Sequence, residues 1–338
     1  MNIEHFNFSL PEELIAQAPT QIRSQSRLLV YTYQEYLDEN FYNLPKYINN
    51  NDLLVFNDTK VLKARVYGTK DTGGVIEILI ERIIDTNQAL VQIKANKSPQ
   101  IGKNLYFGKY NARVIERILP FYKLEFNDDI LKILDELGHL PLPPYIKRAD
   151  NKNDEERYQT IFAKNLGAVA APTASLHFDE SIIKKLEIKG VKYDYLTLHV
   201  GSGTFMPVKT EDITKHVMHT EPYALNNALI QNIKETKANG GKIIAVGTTA
   251  LRALESAYNK DNVVKSFGET NIFITPGYKF NIVDGLITNF HLPKSTLLML
   301  LSAFIGIDNM KKVYNHAIDS KYRFFSYGDA MLCWRKQC

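Results

Sequence analysis

From Asp58 to Phe126 the chain is broken every few residues by turn formers, and strand-like runs lie between them: VLKARVYG, VIEILIERII, ALVQIKA, NLYFG, ARVIERI and YKLEF. The breakers are Gly73-Gly74, Asn87, Ser98-Pro99, Gly102, Gly108 and Asn111. VIEILIER alternates apolar and polar residues with a period of two, as a half-buried strand does. Closely spaced strands with turns between them predict a small antiparallel β-barrel.

The flanks follow a different rule. KIIAV, GTT and ALRALESAY read as strand, turn and helix, and DYLTLHV runs into the glycine turn GSGTF. NIFITPG, GLITNF and YRFFSYG are further strand candidates, and helices are expected near 178–189, 224–238, 296–305 and 309–319. Strands alternating with helices predict an α/β layered domain. That pattern stands on both sides of the barrel segment. The expected architecture is therefore mixed α/β: a discontinuous layered domain, 1–57 and 149–338, with an inserted barrel domain, 58–148. A chain of 338 residues is long for one compact core and suits two. HLPLPPY reads as extended chain, and the polar run from Lys147 to Arg157 reads as the flexible return crossing.

Net charge is +4, from 41 basic and 37 acidic residues. This is too mild for a protein that coats nucleic acid by electrostatics alone. Both cysteines, Cys333 and Cys338, lie at the C-terminal end, so no disulfide framework is expected and a reducing compartment fits. The first residues, MNIEHFNFSLPEELI, do not read as a secretory leader. LLMLLSAFI is far short of the ~20 residues that span a bilayer and reads as a helix buried on all sides. The expectation is a cytoplasmic protein without a membrane partner.

Several short motifs can carry chemistry. In AVGTTALRALES, Gly247 permits a tight turn, Thr248 or Thr249 can cap the next helix, and a helix start suits a carboxylate or phosphate. Arg252 lies one turn in, with Glu255 spaced to pair with it. In TLHVGSGTF, His199 stands near a strand end, where α/β sheets present ligand groups. GAVAAPTASLHF is crowded with small residues, so a ligand or another segment can approach its backbone, with Thr173 and His177 at hand. LITNFHLPKST supplies Asn289, His291 and Lys294, with Ser295 as a helix cap. YRFFSYGDAM interleaves aromatics with Arg323. Each motif alone is also compatible with ordinary packing or capping. His216 and His219 lack a third ligand at metal spacing, so no metal site is expected.

Taken in order, LPEELIAQAP, SRLLV, NDTKVLKARVYGTKDTGG, LPLPPYI, YQTIFAKNLGAVAAPTASLHF, TLHVGSGTF, MHTEPY, AVGTTALRALES, TPGYKFNIVDGLITNFHLPKSTLLMLLSA and YRFFSYGDAML are specific. Over about residues 8–332 the chain resembles the ribosyltransferase-isomerases of queuosine synthesis, the QueA family. Two departures stand out: Ser175 where the pattern has glycine, and Met206 where a polar or basic residue is usual.

The resemblance implies a large α/β domain with a small β-barrel. It also implies two substrates. One is a tRNA carrying 7-aminomethyl-7-deazaguanine at the wobble position. The other is S-adenosylmethionine, a cosubstrate that donates its ribosyl part, with no other cofactor. The products are epoxyqueuosine in tRNA, adenine and methionine. Such chemistry needs a base beside the sulfonium, a proton donor for adenine and groups that fix the methionine carboxylate. His177 and His199 are the candidate proton-transfer groups. Thr248, Thr249 and Arg252 suit the carboxylate or a tRNA phosphate, and Asn289 and His291 the ribose or base. Lys60, Arg65, Lys294 and Arg323 suit phosphates, with Asp58 and Asp329 orienting them. A monomer is expected. Two rivals are an S-adenosylmethionine-dependent RNA methyltransferase, which lacks its glycine-rich loop and acid here, and a non-catalytic RNA-binding protein.

Overall fold

The computed structural model describes residues 1–33, 35–201, 203, 208, 210–258 and 264–335. The chain lays down β1 (Arg27–Thr32), β2 (Glu35–Asn40) and β3 (Leu53–Asn57), then leaves through the short β4 (Thr59–Val61). Next come β5 (Arg65–Lys70), β6 (Val75–Asp85), β7 (Gln88–Ala95), β8 (Asn104–Phe107), β9 (Tyr110–Ile118) and β10 (Phe121–Phe126). These six close into a barrel in the order β10-β7-β6-β5-β8-β9, with antiparallel pairings. The alternation in VIEILIER has its expected cause. Ile76, Ile78 and Ile80 are buried in the barrel core, and Glu77 and Leu79 between them are only partly covered. Helix α1 (Ile130–Leu137) packs Ile130, Ile133 and Leu134 against the same core.

The chain passes through α2 (Lys152–Arg157) and returns as β11 (Asn165–Ala168), parallel to β4. After it come α3 (Glu180–Ile188), β12 (Lys192–Leu198), β13 (Glu221–Leu225), α4 (Asn227–Ala238), β14 (Ile243–Val246) and α5 (Thr248–Ala257). The last elements are β15 (Phe267–Thr270), β16 (Gly285–Asn289), α6 (Thr296–Ile305), α7 (Ile307–Asp319) and β17 (Ala330–Trp334). The large sheet has nine strands in the order β15-β13-β12-β3-β14-β16-β17-β1-β2. Its central strands β12, β3, β14 and β16 all run parallel. Strands β3, β14 and β16 are buried along their whole length, as strands covered on both faces must be. Leu53 and Val55 feed the core under α4 to α7, and Leu54 and Phe56 the core under α3. The fold is mixed α/β with a closed β-barrel. Helix α6 is apolar on nearly every side, with Ser295 capping it through Leu298 N at 3.2 Å. No described helix is long and apolar enough to cross a membrane.

Three local expectations change. NIFITPG is not a strand; Thr270 Oγ1 takes the Ile272 amide at 3.2 Å and turns the chain just after β15. YRFFSYG is a loop as well, because Phe325 sits at φ +72°, outside any strand conformation. The strand there is the next segment, AMLCW, which fills the gap between β16 and β1. The polar run after Lys147 is a capped helix rather than a free crossing. Asn151 and Asp154 form a capping box, and Asp154 is fully buried. Arg148 donates to both its carboxylate oxygens at 2.6 and 2.8 Å, and the Tyr327 hydroxyl donates at 2.7 Å. Removing one partner of such a buried pair costs about 3–5 kcal/mol. Asp154→Ala should lose that much in urea unfolding; a loss below about 1 kcal/mol would show that the return segment is not anchored there.

Candidate active site

Four parallel neighbours end at one edge of the sheet: β3 at Asn57, β12 at Leu198, β14 at Val246 and β16 at Asn289. Open α/β sheets bind ligands outside such carboxyl ends. The residues next in the chain are Asp58, His199, Gly247 and Phe290, so motifs far apart in sequence meet here. Asn57 ties the edge together. Its Nδ2 donates to Leu198 O at 2.9 Å and to Thr249 Oγ1 at 3.3 Å. Its Oδ1 accepts from Leu198 N at 3.0 Å and Thr59 N at 3.2 Å.

A pocket of about 90 Å³ opens at this edge. Ala170, Ala171 and Ala174 make one wall, which explains the small residues of that motif. Thr173, Thr248, Thr249, Asn289 and His291 supply polar groups, and Tyr145, Phe290 and Phe325 flat apolar ones. The start of α5 faces in without a side-chain cap, because Gly247 holds the cap position at φ +98°; Thr249 Oγ1, one residue into the helix, accepts from Asn57. Its first-turn amides are thus left for a ligand.

Histidine roles separate by burial. His177 does not line the pocket. Its Nδ1 meets Ser26 Oγ at 2.7 Å and its Nε2 meets Asn289 Nδ2 at 3.1 Å, so both ring nitrogens are engaged. Burial, reinforced by Arg323 and Arg23, pushes it down to about 3. It is a neutral anchor for Asn289, not the proton-transfer group read from the sequence. His291 lines the pocket, with Nε2 at 2.9 Å from Thr288 Oγ1, and burial pushes it down to about 3 as well.

His199 stands in a second cavity, a cleft of about 730 Å³ between barrel and sheet that shares Val200 with the pocket. Glu81, Arg82 and Phe121 line it from the barrel, and Gly201, His219 and Glu221 from the large sheet's side. Thr59 Oγ1 lies 2.8 Å from His199 Nδ1 and donates to Asn165 O at 3.4 Å. In the tautomer in which Nδ1 donates to Thr59, Nε2 keeps a lone pair. Gly167 lets the ring lie close, since a Cβ there would stand 2.8 Å from it. Burial lowers the His199 pKa from 6.5, and the nearby Asp58 carboxylate opposes that shift. The Asp58 carboxylate accepts from Thr197 at 2.6 Å and Asn165 at 3.0 Å.

Arg252 does not pair with Glu255. It donates to Glu221, whose other oxygen accepts from Gly201 N at 3.1 Å, while Nε and Nη2 of the arginine are buried without partners. Glu255 instead collects the amides of Asn281, Ile282 and Val283 at 2.8, 3.1 and 3.0 Å. A buried guanidinium with two idle N–H groups points to an anionic ligand.

Arg252 and Asp58 line neither cavity, and the remaining candidates also lie outside both. Arg65 pairs with Glu77 at 3.0 Å, Lys294 with Glu4 at 2.5 Å, and Arg323 with Ala18 O. Lys60 is exposed on β4. Asp329 accepts from the amides of Arg27 and Arg323 at 2.9 and 2.8 Å and from Arg27 Nε at 3.4 Å, so the basic side chain it meets is that of Arg27. Met206, most of the GSGTF turn and Cys338 lie outside the described residues, while Ser175 is buried with its hydroxyl unpartnered. Sequence reading missed Asn57, Thr59, Glu221, Ser26 and Tyr145. Asn57 and Glu221 stand in NDTK and MHTEPY, where a polar residue beside apolar strand positions was the available signal.

The chain is similar to known proteins along nearly its whole length. The family model described as queuosine biosynthesis protein matches residues 3–333. S-adenosylmethionine:tRNA ribosyltransferase-isomerase of Paraburkholderia phymatum is 53% identical, over 99% of this chain and 98% of its own. The protein of the same name from Vesicomyosocius okutanii is 51% identical, over 98% of each chain. The crystal structure of S-adenosylmethionine tRNA ribosyltransferase from Thermotoga maritima superposes with a TM-score of 0.57 at 32% identity, covering 97% of this chain and 99% of that one. With full-length matches of this kind around a site at the sheet's carboxyl edge, the chain belongs to the queuosine biosynthesis protein family.

Proposed function

We propose that this protein is an enzyme that transfers and isomerises the ribosyl part of S-adenosylmethionine onto 7-aminomethyl-7-deazaguanine at the tRNA wobble position. The observation that carries the reading is the junction itself: a half-buried histidine, held by Thr59, in a large cleft, beside a small pocket that ends on an uncapped helix start. The 730 Å³ cleft has room for a nucleotide; among its carboxylates, Glu221 is paired with Arg252 and Glu269 with Arg82, and Glu81 lies against Gly201. Two units, 1–57 with 149–338 and 58–148, would work as sheet and barrel jaws of that cleft in a cytoplasmic tRNA-modifying enzyme.

The sulfonium acidifies the adjacent ribose carbon. His199 Nε2 takes that proton, the ribose ring opens, and adenine leaves after it gains a proton. The exocyclic amine of the deazaguanine attacks the resulting electrophile and loses a proton. Rearrangement closes the epoxide and breaks the carbon–sulfur bond, which returns its electrons to sulfur as neutral methionine thioether. Thr248, Thr249 and Arg252 hold the methionine carboxylate through first-turn amides and the idle guanidinium N–H groups. Asn289 and His291 bind base or ribose, with Thr173 beside them. Lys60 is the exposed candidate for a phosphate contact.

The direct test mixes the protein, S-adenosylmethionine and tRNA bearing the aminomethyl base, and follows free adenine and tRNA mass. Adenine and methionine released in step with a ribosyl-derived mass gain is the expected result; a one-methyl gain, or binding with no product, contradicts it. His199→Ala should abolish turnover while tRNA affinity changes little. A neutral base works above its pKa, so the acid limb of kcat/KM should fall below the ordinary imidazole value of 6.5, because burial lowers His199. Wild-type turnover in the variant, or a limb well above that value, removes His199 as the base. Arg252→Lys keeps the charge beside Glu221 but loses the fork. It should raise the KM for S-adenosylmethionine about 10- to 100-fold, the worth of one charged hydrogen bond; an unchanged KM places the carboxylate elsewhere.

A further inference from the structure

Asn289 can be oriented in only one way. Its Nδ2 lies 3.0 Å from Phe325 O, a carbonyl that can only accept, so that atom must be the nitrogen. The second hydrogen on Nδ2 faces His177 Nε2 at 3.1 Å, which must therefore accept. His177 then carries its proton on Nδ1 and donates it to Ser26 Oγ at 2.7 Å, and Ser26 donates onward to Arg23 O at 3.3 Å. On the other side, Thr173 Oγ1 donates to Asn289 Oδ1 at 3.0 Å and so spends its one proton. Every hydrogen of the chain Thr173, Asn289, His177 and Ser26 is thus committed within the protein. What Thr173 and Asn289 have left to show the pocket they both line is lone pairs.

The surroundings fit a flat ring. Phe290, Phe325 and Tyr145 line the same pocket, with the Tyr145 and Phe325 rings 4.6 Å apart. Phe325 is held at φ +72°, a conformation that bulky residues avoid, and the carbonyl that fixes Asn289 belongs to this residue. The ring of Phe41, 5.1 Å from His177, helps to exclude water from the anchor.

We propose that Asn289 and Thr173 form an acceptor-only wall selecting a purine-type ring that bears an exocyclic amino group, with His177 as the positioning residue that sets this polarity. The inference rests on the reading that the pocket takes part of the substrates named above. Two sources offer such a donor: the adenine of S-adenosylmethionine and the aminomethyl-deazaguanine of the tRNA.

The test measures binding by titration calorimetry. One arm compares S-adenosylhomocysteine with S-inosylhomocysteine, in which a carbonyl replaces the amino group. The other compares tRNA carrying 7-aminomethyl-7-deazaguanine with tRNA carrying its 7-cyano counterpart. The wild type should prefer the amino form about 10- to 100-fold in one arm, because the wrong partner leaves buried acceptors facing an acceptor. That arm identifies the source. His177→Leu should bring the ratio to within about 3-fold, and His177→Gln, whose amide oxygen can accept from Asn289, should restore most of it. A purely structural histidine would lower stability without moving this ratio. Should His177→Leu fail to fold, Thr173→Val, which replaces one acceptor with a methyl, should still reduce the ratio several-fold. Binding without discrimination, or a ratio unchanged in both His177→Leu and Thr173→Val, overturns the acceptor wall alone. No binding of either ligand pair by the folded wild type overturns the functional reading as well.

Discussion

The parallel register of β12, β3, β14 and β16 is the constraint on which the site depends, because it turns four strand ends toward one edge. Backbone pairing alone would leave those ends free to fray as the chain departs for the barrel. Asn57 prevents this. Buried at the last position of β3, it satisfies both the amide and the carbonyl of Leu198, the amide of Thr59 and the hydroxyl of Thr249. Three consequences follow from that one side chain. β12 is held up to the residue before His199. Thr59 is placed under the His199 ring. Thr249, in the first turn of α5, is tied to the end of β3.

Desolvation divides the labour among the histidines. His177 and His291 are buried deeply enough that protonation is disfavoured near neutral pH, so they serve as fixed neutral partners. His199 is only half-covered and has the Asp58 charge nearby, which keeps it within reach of proton transfer. The buried pair of Arg252 and Glu221 does a different job. It ties the start of the GSGTF turn, through Gly201 N, to α5, so the cleft and the pocket share a support. The barrel meets that support closely: a Cβ on Gly201 would lie 2.6 Å from Glu81 of β6.

The sequence made the barrel legible because its strands are short, alternate strictly and are separated by turn residues. Helix α6 was legible for the opposite reason, an apolar run with no polar face. Strand β17 was not, because the aromatic run before it has more strand character than AMLCW itself, and only the positive φ of Phe325 shows that the run turns. The anchored return through Asp154 was hidden as well. KRADNKNDEER looks solvated, and nothing local says that one of its carboxylates meets Arg148 and Tyr327 in the interior. Motif reading located Thr173, His199, Thr248, Thr249, Asn289 and His291 at the two cavities. It could not assign their partners, since Arg252 chooses Glu221 over its helical neighbour Glu255 through tertiary contacts. The basic residues picked for phosphate fared differently for the same reason: Arg65, Lys294 and Arg323 had partners in the fold that spacing does not reveal.

The central claim is that S-adenosylmethionine docks at the carboxyl edge of the large sheet, on the open start of α5, rather than on the barrel. Hydrogen exchange read by mass spectrometry, with and without that ligand, tests it most directly. The account predicts slowed exchange in the first turn of α5 from Thr248 and in the segments around Ala170–Thr173 and Asn289–His291, with β8 and β9, which do not line the cleft, unchanged. Protection confined to the barrel, with the start of α5 exchanging as before, would contradict it.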